Sequence, residues 1–291
     1  MKKAFLQLHA AIFLAGFTGV LGRLISVNEA MLVWYRMLFA TIALLLLSVF
    51  TKKIIRLSYQ HASQLIGIGA IIALHWVFFY GSVKYANVSV SLVCFSAIGF
   101  FSSFMDPIIS QRKFEWIELL LGCMVIIGLS LMFHFDPQFR TGIIFGLISS
   151  FLAALFPIFN KKMMQVHQPE TITFYEMAGG CAVLTLIVPF YLQFVQSPNI
   201  IPSSTDIIWL LVLSLFCTVL AFNLSVRSLS KISPFTVNLS FNLEPVYGIA
   251  LAFILFKEYK EVGTAFYIGM LIIFLTVVLQ TYRVYRQSSA S

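Results

Sequence analysis

Several polar side chains stand inside apolar runs of this sequence, where such groups are scarce. Glu244 lies midway along the run 232–256, followed at once by Pro245, with Asn242 and Tyr247 close by. A carboxylate at that depth is expensive unless it is paired. The chemistry open to it is proton exchange, contact with a cationic solute group, or a structural hydrogen bond onto a helix that proline has loosened. The structural role is the expected one. His75, in the run 64–83, is either protonatable or a neutral interhelical partner. Trp76 and Tyr80 share a helical face at i,i+4 and offer a stacking surface. These two are expected to approach a central cavity while His75 faces another helix or its edge. Asn223 and Tyr247 complete the cavity candidates. Arg36 can hold an anion or snorkel to the nearby membrane face. It is grouped with Asn87, Ser91 and Pro245 as a helix-packing or coupling residue. Glu176 is read as an anchor near the start of its run, and Asp106 as a helix-end cap.

No phosphate-binding Gly-x-x-x-x-Gly-Lys, no His-Glu-x-x-His and no Gly-x-Ser-x-Gly occurs. Cys94, Cys123, Cys181 and Cys217 all lie in apolar runs and form no Cys-x-x-Cys pair. No catalytic residue, metal or cofactor is expected. The net charge of +8 comes from short basic clusters between apolar runs, which argues for membrane anchoring and against nucleic acid. Any driven process would use an ion gradient, with the proton as a possible coupling partner, or the solute's own gradient.

The elements that position these residues follow from composition. Of 291 residues, 60% are hydrophobic and 10% charged, against about 25% charged in soluble domains. Lipid is the solvent such a chain needs. A crossing takes about 20 apolar residues. Ten segments fit, near 5–23, 31–50, 64–83, 88–110, 116–134, 142–160, 171–193, 207–225, 232–256 and 262–282. The loops are short, the longest holding Ser197-Pro198 and Pro202. Lys2-Lys3 before the first segment resembles a leader, but a second run follows within ten residues, so a retained helix is expected. Thirteen Lys and Arg, including Lys52, Lys53 and Arg227, fall on one side, and five, including Arg23 and Lys84, on the other. This bias puts both termini in the cytoplasm.

The fold expected is an all-α integral membrane protein of ten transmembrane helices in two inverted five-helix repeats, 1–136 and 137–291. Two halves with an odd number of crossings have opposite topologies. A sequence echo supports the division: Phe79-Tyr80-Gly81-Ser82-Val83-Lys84 and Phe222-Asn223-Leu224-Ser225-Val226-Arg227 lie 143 residues apart. The same offset relates Glu115 to Glu258.

Asn242-Leu243-Glu244-Pro245-Val246-Tyr247, running on to Phe256-Lys257-Glu258, resembles the EamA family of the drug/metabolite transporter superfamily. The likeness spans two repeats near 6–133 and 141–279. The family shows Glu-Pro in helix 9 and a Gly-Glu before helix 10; here Lys257 replaces that glycine. The resemblance implies a bacterial inner-membrane exporter of amino acids or related small metabolites. It also implies a cavity between helices 3, 4, 8 and 9 on one side and 1, 2, 6 and 7 on the other. The mechanism expected is alternating access, with no enzymatic activity. The contrasting readings are a structural or sensory membrane protein and a membrane enzyme built on Glu244, His75 and Tyr80. Substrate identity, direction and oligomeric state are not set by these residues.

Overall fold

The structure is a computed structural model that describes residues 2–51, 56–132, 139–194, 199–260 and 263–289. Lys52, Lys53, Ser197-Pro198 and the repeat boundary at 136/137 lie outside the described residues. The described chain is helical, without strands. Its segments are α1 (Lys2–Leu24), α2 (Glu29–Thr51), α3 (Tyr59–Tyr85), α4 (Val88–Ser110), α5 (Trp116–Met132), α6 (Arg140–Met163), α7 (Pro169–Phe194), α8 (Ser204–Ser228), α9 (Pro234–Phe256) and α10 (Thr264–Ser289). Eight of them, α1 to α4 and α6 to α9, are long and apolar enough to cross a membrane. In α5 and α10 the apolar stretches are shorter, Trp116–Gly128 and Tyr267–Gln280. The chain is thus an all-α, multi-pass membrane protein.

Local sequence sets the helix ends. Asn87 caps α4, its side chain accepting from the Val90 amide at 2.7 Å. Ser203 and Asp206 form a reciprocal capping box on α8. Ser233 caps α9 ahead of Pro234, whose missing amide hydrogen costs nothing at a first turn. α9 ends at Lys257, in the left-handed region at φ 58°. That is the position where the resemblance expects glycine, and a left-handed residue explains why glycine suits it.

α3 packs against α6 and α7, and α8 against α1 and α2. α2 packs on α7, α4 on α9, and α5 on α10. The α3–α7 crossing is a close backbone approach. A Cβ added at Gly69 would stand 2.2 Å from the Glu176 carbonyl oxygen, and one at Gly180 would stand 2.6 Å from the Gly69 carbonyl oxygen.

Four of these helices are not continuous. α1 is interrupted between Ala15 and Thr18, and α4 between Phe95 and Ile98. α8 widens to a π-helix over Leu215–Leu220, and α9 tightens to a 3-10 turn over Phe241–Leu243. The last has a sequence cause: Pro245 has no amide hydrogen and clashes with the carbonyl four residues back, at Phe241. In α8, Thr218 turns its hydroxyl back to donate to the Leu213 carbonyl at 2.9 Å, five residues earlier, the spacing of a π turn.

Candidate functional site

The four interruptions surround one cavity. Ala15 and Thr18 flank the break in α1 and line it, as Phe95 and Ile98 do for α4. Cys217 comes from the π segment of α8, and Phe241 and Glu244 from the turn in α9. Broken helices at mid-depth free backbone polar groups and aim them at a cavity. The walls between are aromatic, from Trp76, Phe79, Phe156 and Phe222.

Arg36 reaches this cavity from α2. It is 2% exposed, so the snorkelling expected from the sequence does not occur. The segment boundary read from hydropathy put it near the membrane face, whereas α2 already begins at Glu29. Nε donates to Thr218 Oγ1 at 2.7 Å, Nη1 to the Tyr80 hydroxyl at 2.8 Å and Nη2 to the Cys217 carbonyl at 3.2 Å. The guanidinium lies 3.6 Å from the Trp76 ring centroid, a cation–π contact. Every partner is neutral. The π turn in α8 supplies two of them, because it releases the Cys217 carbonyl and re-aims Thr218.

Glu244 faces the same cavity and is 5% exposed. Thr18 Oγ1 lies 3.2 Å from its Oε1, but the same hydroxyl donates to the Ala15 carbonyl at 2.7 Å. One hydroxyl has one hydrogen, so the carboxylate receives only a share of it. Glu244 and Arg36 form no ion pair with each other. The cavity therefore carries a fixed cation and a carboxylate, separated across a space lined by rings.

The other candidates divide. Trp76 and His75 line the cavity. His75 also meets α6: Nδ1 lies 3.0 Å from the Ser149 carbonyl, and Ser149 Oγ donates to the His75 carbonyl at 3.0 Å. Tyr80 is fully buried behind Arg36 and is not among the lining residues. Tyr247 packs its ring on Phe13 at 5.5 Å, and Asn223 keeps a buried Oδ1 without a protein partner; neither lines the cavity. Ser91 donates to the Asn87 carbonyl within α4. Asp106 accepts from Arg112 and Ser110 at the end of α4, as a helix-end anchor does. Glu176, expected as an interfacial anchor, is instead fully buried. α7 begins at Pro169, which places residue 176 two turns inside.

Both ends of the bundle are latched by charged side chains. At one end Lys84 donates to the Val27 carbonyl, and Arg23 pairs with Glu258. Glu258 also accepts from the Ser89 amide at 2.9 Å, where its charge complements the start of α4. At the other end Arg227 pairs with Glu170, and Lys161 donates to the Leu229 carbonyl. Thr18, Thr218 and the Cys217 carbonyl were not singled out in the sequence, where threonine and cysteine in an apolar helix carry no signal of what approaches them.

The model of the EamA-like transporter family matches residues 2–134 and 140–282. An uncharacterized transporter of Archaeoglobus fulgidus is 24% identical over 258 residues, covering 86% of each chain. A second uncharacterized transporter of that organism is 32% identical over 87 residues, 30% of this chain and 31% of its own. A crystal structure of a protein aligns over 99% of both chains with a TM-score of 0.73 at 13% identity, a likeness of fold alone.

Proposed function

Because the chain belongs to the EamA-like transporter family, and is thus a membrane transporter, we propose that it exports amino acids or related small metabolites by alternating access. The observation that carries the substrate class is the cavity with Arg36 and Glu244 facing it and no ion pair between them. A solute with a carboxylate and an ammonium group satisfies both charges, and the ring walls take its apolar part. Arg36 holds the carboxylate from a fixed position, and Glu244 takes the ammonium group.

The movement rests on two inverted five-helix repeats, 1–136 and 137–291, making ten crossings with both termini in the cytoplasm of a bacterial inner membrane. The latches support this reading. Lys84 with Val27, and Arg227 with Glu170, are the same two positions of each repeat, 143 residues apart. One pair closes the outer end and the other the cytoplasmic end. Packing follows the same exchange: α3 with α6 and α7 answers to α8 with α1 and α2. Releasing one latch at a time opens the cavity to one side.

The test uses purified full-length protein in liposomes, loaded with labelled amino acids and challenged in turn with the matching amines and the matching carboxylic acids. Zwitterions should compete best, and single-charge analogues poorly. Equal competition by an amine, or no flux of any amino acid, overturns the substrate assignment. A reporter active only outside the cytoplasm, fused to the C-terminus, should stay silent.

A further inference from the structure

Outside the cavity, the structure holds a second buried polar group that the substrate reading does not use. Glu176 on α7 is 0% exposed, and neither carboxylate oxygen has a hydrogen-bond partner among the described residues. Asn160 on α6 lies beside it, 1% exposed, its side chain near enough to interact with the carboxylate but without a hydrogen bond of ordinary geometry. Thr173, one turn before Glu176 and on the same face, has an unpartnered, fully buried hydroxyl. Glu176, Asn160 and Thr173 thus account for five of the buried side-chain polar atoms that lack a close hydrogen-bond partner among the described residues.

Among the described residues, no charge is directed at this cluster. On α2, Arg36 spends its donors on Thr218, Tyr80 and the Cys217 carbonyl, and Glu29 accepts from Tyr191. On α3, His61 meets His167, His75 meets Ser149, and Lys84 meets Val27. On α6, Lys161 and Lys162 reach the carbonyls of Leu229 and Ile109. Arg227 of α8 is paired with Glu170 at the end of α7.

The position is mechanical as well as chemical. The Glu176 carbonyl lies at the α3–α7 crossing, where Gly69 brings the two backbones together. Helices 3 and 7 belong to different repeats. Asn160 stands one turn beyond Pro157, which lines the cavity.

We propose that Glu176 is a proton-binding site that couples transport to a proton gradient. Its carboxylate takes one proton when the crossing is packed as in this structure, since an ion sealed there would have neither water nor a counter-charge. It returns the proton when movement of α3 over α7 lets water in, which joins one proton to each cycle. Asn160 and Thr173 are positioning residues that serve the acid on its way. The inference rests on the transporter reading but not on the amino-acid assignment.

Two measurements test it. Infrared difference spectra of the full-length protein in lipid, taken across pH, should show a carboxylic C=O band that titrates. That band should be absent from Glu176→Gln, or displaced in Glu176→Asp if the glutamine variant does not insert. This readout needs no substrate. In liposomes, with a labelled mixture of the twenty amino acids as probe, one pH unit should sustain an about tenfold gradient of the carried species, because the two are energetically equal at one proton per molecule. Glu176→Gln should lose that accumulation while exchange at equal pH continues. A carboxylic band that does not titrate, or gradient-driven accumulation at the wild-type level in Glu176→Gln, overturns the proposal. Absence of flux in wild type would instead count against the substrate class, leaving the infrared result to decide on Glu176.

Discussion

Arg36 and Glu244 line one cavity, yet they are held very differently. Arg36 has three hydrogen bonds and a ring face, from α3 and α8. Glu244 has part of one hydroxyl. The cation is thus preorganised: under the function proposed above, a ligand carboxylate would meet a guanidinium whose orientation has already been fixed. Glu244 is under-satisfied, and under the same proposal a ligand's ammonium group would supply what the protein leaves open. On that proposal the two residues have unequal tasks, Arg36 setting position and helix packing and Glu244 setting affinity.

Removing Arg36 should have the largest effect. Arg36→Leu leaves the Tyr80 hydroxyl, Thr218 and the Cys217 carbonyl facing an apolar side chain, at roughly 1–3 kcal/mol for each group left unsatisfied. Flux should fall to background and the thermal unfolding temperature of the purified protein should drop. A variant with wild-type flux would end the role given to this residue. Arg36→Lys should be milder. An ammonium keeps the charge but not the planar fork, so it cannot serve three fixed acceptors. Flux at low substrate should decline about tenfold, with the protein still folded. If lysine behaves as arginine does, charge alone matters and the preorganisation argument fails.

Glu244 sharpens the contrast. Glu244→Gln should fold, keep turnover at saturating substrate and raise KM about tenfold for substrates bearing an ammonium group, with a smaller change for carboxylic acids. Initial-rate measurements on both classes check this. Glu244→Leu should damage insertion or assembly, seen as loss of monodisperse protein on gel filtration. The smallest effect belongs to Thr18→Val, which removes only a shared hydroxyl. We expect a loss of stability of about 1 kcal/mol or less and near-normal flux. A collapse of flux there would mean that the Thr18 contact holds Glu244 more firmly than its geometry implies.

Much of the architecture is legible in the sequence because its cause is local. Continuous apolar runs give membrane helices, Ser203 and Asn87 start them, and Pro245 disturbs α9 by a clash that needs no tertiary partner. Glu244 stands out since a carboxylate inside an apolar run is anomalous wherever it points. What lies around such residues is not local. Arg36 and Glu176 both read as interfacial because hydropathy marks where apolar residues begin, while the helices begin earlier, at Glu29 and Pro169. Tyr80 looks like a cavity wall from its i,i+4 relation to Trp76, yet Arg36 stands in front of it. Only the packing of α2 against α8 brings Thr218 and the Cys217 carbonyl to that guanidinium, across 182 and 181 residues of sequence. By itself the sequence determined which segments are helical and that a carboxylate, Glu244, lies deep within one of them, since both follow from transfer between water and lipid. The tertiary structure alone decided which polar groups are buried at Arg36 and Glu176 and which of the buried groups are satisfied, because that depends on partners the chain brings together from far apart.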